Sequence, residues 1–147
     1  AMAMDLPRAA GDGRRSRNMD AQLKSTISPF RLRLRIAVGS EIVLGPGKAD
    51  LLQGIQETGS IAAAGRRMSM SYKRAWYLVD AMNGQFTEPL VESSKGGRAG
   101  GGAKLTALGE HVLSTFRAME AETQRVIAPD LRRLRKMLGR RLTSAHH

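Results

Sequence analysis

Apolar and polar residues alternate along the chain from Phe30 to Val38. One face of this segment carries the apolar side chains Phe30, Leu32, Leu34, Ile36 and Val38. The other face carries Arg31, Arg33, Arg35 and Ala37. A period of two residues predicts a half-buried strand. A turn at Gly39-Ser40 and a second apolar run over residues 42–44 complete a predicted β-hairpin, which ends at Gly45-Pro46-Gly47.

The spacing of apolar residues then changes to that of a helix. Leu51, Leu52 and Ile55 predict a first helix over about residues 48–58, and Gly59 ends it. Ser60 is a good N-cap for a second helix, whose small residues 61–65 permit close approach of a neighbouring helix.

A third helix is predicted over about residues 71–86, with two faces of opposite character. Its apolar stripe, which predicts a core face, consists of Tyr72, Ala75, Trp76, Val79, Met82 and Phe86. Its polar face presents Ser71, Lys73, Arg74 and Tyr77. A small-residue helix packed beneath a basic helix is the arrangement by which a helix-turn-helix places one helix in the DNA major groove.

A glycine-rich cationic loop follows the third helix. Residues 89–94 predict extended structure, and a return strand is expected around residues 103–105. Between them, residues 95–104 contain five glycines together with Lys95, Arg98 and Lys104. This composition suits the wing of a winged helix-turn-helix, whose backbone can approach a phosphate closely.

Thr106 is the predicted N-cap of a long final helix. Its apolar seam consists of Leu108, Val112, Phe116, Met119, Thr123 and Val126. Pro129 is expected to interrupt the helix, and a second helical segment then carries Leu131, Leu134 and Leu138 among six basic residues. That leucine row suits either capping of the protein's own dimer, which we prefer, or a separate partner.

Charge indicates the kind of partner. The 24 Lys and Arg residues against 13 Asp and Glu residues give a formal net charge of +11 and a sequence pI near 11.2. Such an excess favours a polyanion partner, although charge alone does not separate DNA from RNA or an anionic membrane, and simple solvation of the charge is the ordinary alternative. Residues 1–26 are interpreted as a disordered basic arm, and their first part is either native or an artefact of the start site.

Several other classes of site are not expected. The chain has no cysteine, so disulfides and thiolate metal sites are excluded. The three histidines, His111, His146 and His147, have no carboxylate at a metal-ligand spacing, and no nucleophile elbow or P-loop is present. We therefore expect no enzyme, no cofactor and no metal. The glycine-rich loop could alternatively bind a small oxyanion through its backbone amides. With no apolar span and no secretory signal, a cytoplasmic location is expected.

Particular strings in residues 30–127 resemble a known family. They are Thr58-Gly59-Ser60-Ile61, Ser71-Tyr72-Lys73-Arg74-Ala75-Trp76, the pair Met82-Asn83, and the glycine-rich loop followed by Leu105-Thr106 and Gly109. Together they resemble the N-terminal DNA-binding domain of ModE-type molybdate-responsive regulators, and the Gly-Ser-Ile part is also similar to LysR-type regulators. The resemblance implies a DNA-binding homodimer. ModE also carries C-terminal molybdate-binding modules for which residues up to His147 leave no room, so a molybdate response of this chain is not implied.

These observations lead to one interpretation. The expected fold is α+β and mostly helical: a winged helix-turn-helix over residues 27–105, a dimerisation helix over 106–141 and a disordered tail over 142–147. The expected function is sequence-specific transcriptional regulation through a pseudo-palindromic operator in double-stranded DNA, with a link to molybdate transport or metabolism. The alternatives are a sequence-tolerant architectural protein and a DNA-binding subunit that relies on a separate effector-sensing partner.

The interpretation assigns roles to individual residues. The recognition helix contributes Ser71, Tyr72, Lys73, Arg74 and Tyr77. The turn and wing contribute Ser60, Arg66, Arg67, Lys95, Arg98 and Lys104. The dimer interface is expected to contain Leu108, Val112, Phe116, Met119 and Val126. No membrane partner is expected.

Overall fold

The computed structural model describes residues 30–94 and 102–143. Its elements, in chain order, are β1 (Ile36–Val38), β2 (Glu41–Leu44), α1 (Pro46–Thr58), α2 (Ile61–Arg67), α3 (Tyr72–Gln85), β3 (Val91–Ser94), β4 (Gly102–Leu105), α4 (Ala107–Met137) and α5 (Arg140–Thr143). The two antiparallel sheets are β1–β2 and β3–β4. The mostly helical α+β fold of a winged helix-turn-helix is thereby confirmed. The predicted arm over residues 1–26 and the end of the predicted tail lie outside the described residues, and Leu142 and Thr143 of that tail are helical.

The chain divides into two compact units. The first is Leu32–Thr123, which contains both sheets, the first three helices and the start of α4. The second contains, among the described residues, 30–31 and 124–143. In that unit α4 continues to Met137, and Ala128 is buried.

The first hairpin is shorter than the alternation predicts. Burial does alternate, with Leu32, Leu34 and Ile36 half-buried between exposed arginines, but only Ile36–Val38 pairs with β2. The prediction of a strand from Phe30 onward is therefore wrong for its first six residues. The partner is too short, because β2 has four residues and Pro46 begins α1 two residues later. Proline fits that first helical turn, since the N–H it lacks has no partner there.

The core of the first unit is aliphatic apart from one phenylalanine. Its buried members are Leu44, Ala49, Leu51, Leu52, Ile55, Ile61, Ala64, Ala75, Val79, Met82, Leu90, Val91, Ala103, Leu105, Leu113 and Phe116. Glycines bring the three short helices together: a Cβ on Gly54 would lie 3.0 Å from the Cβ of Ala64, and one on Gly65 would lie 3.0 Å from that of Ala75. The predicted close approach of small residues is therefore present.

The predicted core stripe of α3 is only partly buried. Ala75, Val79 and Met82 are buried, whereas Tyr72 is 57% exposed and Trp76 is 36% exposed. The prediction that Trp76 and Tyr72 belong to the core is wrong. Each residue advances the helix by about 100°, so Tyr72 and Trp76 lie to one side of the line formed by Ala75, Val79 and Met82. The buried stripe is narrower than the predicted apolar stripe and does not include them.

Two expectations about the final helix also fail. Pro129 does not interrupt it, since α4 runs unbroken from Ala107 to Met137. A proline removes one helical hydrogen bond but itself adopts helical φ, so its effect stays local. The apolar seam is divided as well: Phe116 is fully buried in its own protomer's core, against which Leu108 and Val112 pack. Phe116 is therefore not available to a partner, whereas Leu108 and Val112 are partly buried and Met119 and Val126 are 38% and 59% exposed.

Polar contacts join the elements of the first unit at two further places. Arg117 of α4 donates to Asp50 Oδ1 at 2.7 Å, to Gln53 Oε1 at 2.7 and 3.1 Å, and to Glu120 Oε1 at 2.9 Å. Burial opposes its charge, but the hydrogen bonds to Asp50 and Glu120 outweigh burial and raise the pKa of Arg117. The guanidinium thus fixes α4 against α1.

The hairpin is held in a similar way. Lys48 Nζ donates to the carbonyl of Ile42 at 2.7 Å and to Gln85 Oε1 at 3.2 Å, while Gln85 Nε2 donates to Glu41 Oε1 at 2.9 Å. Burial lowers the pKa of Lys48, and Glu41 partly offsets this effect. These bonds connect β2, α1 and the end of α3.

Candidate nucleic-acid interface

Two serines set where the helices of the helix-turn-helix begin. Ser60 Oγ accepts a hydrogen bond from the Ala63 N–H at 3.1 Å, and Ser71 Oγ accepts one from the Arg74 N–H at 3.1 Å. Each serine satisfies a backbone donor that the first helical turn would otherwise leave unpaired. Between the helices, Ser69 adopts the left-handed conformation with φ of 55°. The sharp turn brings α3 across α2.

The outer side of α3 is polar and aromatic. Ser71, Lys73, Arg74 and Tyr77 are exposed, as predicted for the polar face, and Tyr72 is exposed as well, while Ala75 and Val79 are buried on the opposite side. Sequence reasoning missed Asp80, which is exposed and lies one turn beyond Trp76. It brings a negative charge into a surface that is otherwise basic, and in a base-reading role an aspartate accepts from the amino group of cytosine.

The two arginines at the end of α2 differ. Arg66 is exposed, whereas Arg67 donates to Glu57 Oε2 of α1 at 2.6 Å. Hydrogen bonds from Gln53 and Arg67 lower the pKa of the Glu57 carboxyl. Both side chains of this ion pair are about half exposed, at 53% for Arg67 and 47% for Glu57.

The β3–β4 hairpin occupies the position predicted for the wing. Val91 pairs with Leu105, Glu92 with Lys104 and Ser93 with Ala103. Lys104 is exposed. The other two predicted wing cations, Lys95 and Arg98, lie outside the described residues.

Asn83 fixes this hairpin against α3. Its Oδ1 accepts from the N–H groups of Leu90 and Val91 at 2.9 and 3.1 Å, and its Nδ2 donates to the carbonyl of Val91 at 3.1 Å. All three hydrogen bonds join α3 to the start of β3. Nothing in the spacing along the chain indicates this role, because the partners are backbone groups brought in by the fold.

The other strand of the hairpin is bound to the turn between α1 and α2. The Ala103 N–H donates to the carbonyl of Gly59 at 2.8 Å. Gly59 has φ of 70° and ends α1 by donating to the carbonyl of Ile55 at 2.8 Å. The base of the β3–β4 hairpin, the turn between α1 and α2, and α3 are thus connected by hydrogen bonds.

An open groove lies between these elements, which we call the aromatic groove. It measures about 480 Å³ and is lined by Ser60, Ile61, Ala62, Tyr72, Trp76, Ser93, Ser94, Gly102 and Ala103. The rings of Tyr72 and Trp76 meet edge to face, with centroids 6.2 Å apart and planes at 81°. Sequence reasoning placed Ser60 and Tyr72 at the interface but assigned Trp76 to the core.

Other kinds of site have less support within the described part of the chain. Residues 30–94 and 102–143 contain no group of three or more His, Asp or Glu side chains that could hold a metal ion. In the same residues no helix is both long and apolar enough to cross a membrane.

Comparison with known proteins gives several relatives. The chain is 42% identical over 85 residues to the molybdenum-pterin-binding protein MopB of Rhodobacter capsulatus, covering 58% of this chain and 32% of that protein. It is 35% identical over 114 residues to the molybdenum transport protein ModE of Azotobacter vinelandii, covering 78% and 42%. It is 32% identical over 83 residues to the DNA-binding transcriptional dual regulator ModE of Escherichia coli (strain K12), covering 56% and 32%. The matches thus span about a third to two fifths of the relatives' lengths.

No protein-family model matches the sequence. Among solved structures, a mutant of Lactococcus lactis ZitR aligns with 85% of this chain and 96% of its own, at 17% sequence identity and a TM-score of 0.39.

Proposed function

We propose that this chain is a sequence-specific DNA-binding transcriptional regulator that places α3 in the major groove. The exposed, basic start of α3, held on a buried aliphatic base, is the observation that carries the proposal. The names of the relatives support it, since one is called a DNA-binding transcriptional dual regulator and others a molybdenum transport or molybdenum-pterin-binding protein. We accordingly propose a role in molybdenum-linked regulation, and no enzymatic role.

The proposed contacts follow from position and charge. Lys73 and Arg74 read guanine edges or bind phosphates, and a good bidentate base contact is worth about 1–3 kcal/mol of discrimination. Ser71, Tyr72 and Tyr77 flank them on α3. Ser60, Arg66 and the wing cations Lys95, Arg98 and Lys104 bind the backbone, as does Arg67 once it is released from Glu57. Backbone contacts set affinity and its salt dependence more than sequence preference.

The proposed DNA-binding unit is a homodimer. Residues 27–105 form the DNA-binding domain and residues 106–141 the dimerisation helix, where Met119 and Val126 remain exposed for a partner. Two recognition helices then read half-sites about 10–10.5 bp apart, or a multiple of that distance.

Sequencing of genomic fragments bound by the protein identifies the operator. Lys73→Ala and Arg74→Ala are each expected to weaken operator binding by about 10-fold or more, with the helical circular dichroism unchanged. Lys136→Ala is a matched control, because Lys136 is equally exposed on α4. Full operator affinity in both α3 variants contradicts the assignment.

The basic end of the chain favours one alternative function. Arg132, Arg133, Arg135, Lys136, Arg140 and Arg141 are all exposed, which suits a protein that coats DNA regardless of sequence. In that case Lys136→Ala weakens binding as much as Lys73→Ala, and operator and random duplex bind alike. A specific regulator instead keeps a ratio of roughly 10³–10⁷ between them.

A further inference from the structure

The only tryptophan and both tyrosines of the chain lie in α3, and all three are exposed. Tyrosine and tryptophan usually contribute their large area to a core or an interface. Here Tyr72 and Trp76 stand in an edge-to-face pair on one side of the aromatic groove, and the buried core is closed without them.

The described residues that line the aromatic groove are all uncharged. Its walls are apolar at Ile61, Ala62 and Ala103, its remaining polar side chains among the described residues are the hydroxyls of three serines, and no charged side chain of residues 30–94 and 102–143 lines it. The helices that line it also carry exposed cations: Lys73 follows Tyr72 on α3, and Arg66 lies four positions after Ala62 on α2. Uncharged described lining on helices that also carry exposed cations suits a ligand whose apolar part is flanked by anions.

We propose that the aromatic groove receives one sugar–phosphate strand of duplex DNA, a contact that rests on the proposed function. The groove separates α3 from the β3–β4 wing, so a duplex engaged by both elements must pass a backbone strand between them. A deoxyribose ring then packs on Tyr72 and Trp76, and the serine hydroxyls donate to the adjoining phosphates. Lys73 and Arg66 neutralise the neighbouring charges.

This contact has a distinctive salt signature. Packing of uncharged sugar on aromatic rings displaces water rather than counterions, whereas each phosphate neutralised by a cation releases them. Tyr72→Ala should therefore lower duplex affinity by about 10-fold at every salt concentration. Lys73→Ala should instead reduce the slope of log K against log salt by about one. A changed slope in Tyr72→Ala, equal to that of Lys73→Ala, would count against packing by the ring.

The single tryptophan allows the occupancy of the groove to be measured directly. Acrylamide quenching of Trp76 fluorescence is followed while a short random-sequence duplex is added, and binding itself is measured separately from the anisotropy of a labelled duplex. We expect the duplex to shield Trp76 from acrylamide in proportion to binding. Free thymidine monophosphate at the same nucleotide concentration is expected to give no shielding.

The outcomes separate the two proposals. Duplex binding without shielding of Trp76 overturns the groove contact and leaves the DNA-binding function standing. Absence of any duplex binding at low salt overturns both. Equal shielding by the free nucleotide overturns the strand contact in favour of a small-molecule site.

A variant that fills the groove provides a second test. Ser93→Leu adds an apolar side chain to its lining, and Ser114→Leu adds the same group on the exposed face of α4 as a control. With unchanged circular dichroism, we expect the first to weaken duplex binding by about 10-fold and the second to leave it unaltered. Equal affinities of the two variants would contradict the proposal.

Discussion

At the scale of single side chains, the aromatic residues Trp76 and Phe116 differ in how deeply they are buried. Phe116 is fully buried, whereas Trp76 keeps 36% of its surface exposed. We therefore expect Phe116→Ala to lower the free energy of unfolding by about 3–5 kcal/mol, and Trp76→Ala by about 1–2 kcal/mol. Urea denaturation followed by circular dichroism measures both. If Trp76→Ala lowers the free energy of unfolding as much as Phe116→Ala does, Trp76 belongs to the core after all.

The residues at this scale also show what the sequence can and cannot indicate. The cap Ser60 was predicted because a cap acts within its own first turn. Asn83 bonds to residues seven and eight positions away, and Arg117 bonds to Asp50 and Gln53 of α1, so their roles depend on the folded chain. The degree of burial of Trp76 could not be predicted either. Periodicity indicates the direction in which a side chain points, but not how much of that face of the helix the neighbouring elements cover.

At the scale of elements, the contact between the start of α4 and the start of β3 is unusually close. The Thr106 N–H donates to the carbonyl of Leu90 at 2.9 Å, and Thr106 Oγ1 accepts from the Gly109 N–H at 3.0 Å. A Cβ on Gly109 would lie 2.0 Å from the carbonyl oxygen of Leu90. The close approach between α4 and Leu90, which precedes β3, therefore requires a glycine at position 109.

Gly109→Ala tests this contact. We expect a loss of about 1–3 kcal/mol in the free energy of unfolding, because the backbone must shift to admit a methyl group. Gly84→Ala is the matched control: Gly84 is an exposed helical glycine with open space where its Cβ would stand, so alanine should stabilise by roughly 0.5–1 kcal/mol. Thermal unfolding compares the two, and a neutral Gly109→Ala would show that the contact is looser than described.

The elements that were predicted well are those defined by local signals. The end of α1 and the start of α2 were predicted from Gly59 and Ser60, whereas α1 begins at Pro46, before the predicted start at about residue 48. The first strand and the final helix were predicted less well, because the length of a strand depends on its partner and the effect of Pro129 depends on the helix around it.

At the scale of the whole molecule, the expectation that a dimer presents two recognition helices leads to a further test. Val126 is 59% exposed on α4 and is the most exposed member of the predicted interface. Val126→Glu should shift the mass measured by light scattering toward that of a monomer, because it places a charge in an apolar contact. Tyr77→Glu, at a residue 70% exposed on α3 and outside the predicted dimerisation helix, should leave the mass unchanged. A wild-type mass of one chain at all concentrations would contradict the dimer.

The bonds that Asn83 and Gly59 make with the wing base bear on the thermodynamics of association. Because α3 and the base of the β3–β4 hairpin are already joined before any ligand arrives, their relative orientation need not be found during the encounter. A preorganised pair of contact elements forfeits less conformational entropy on binding than two independent ones. Part of the binding affinity of this small domain would then arise because folding has already fixed the orientation of α3 relative to the hairpin.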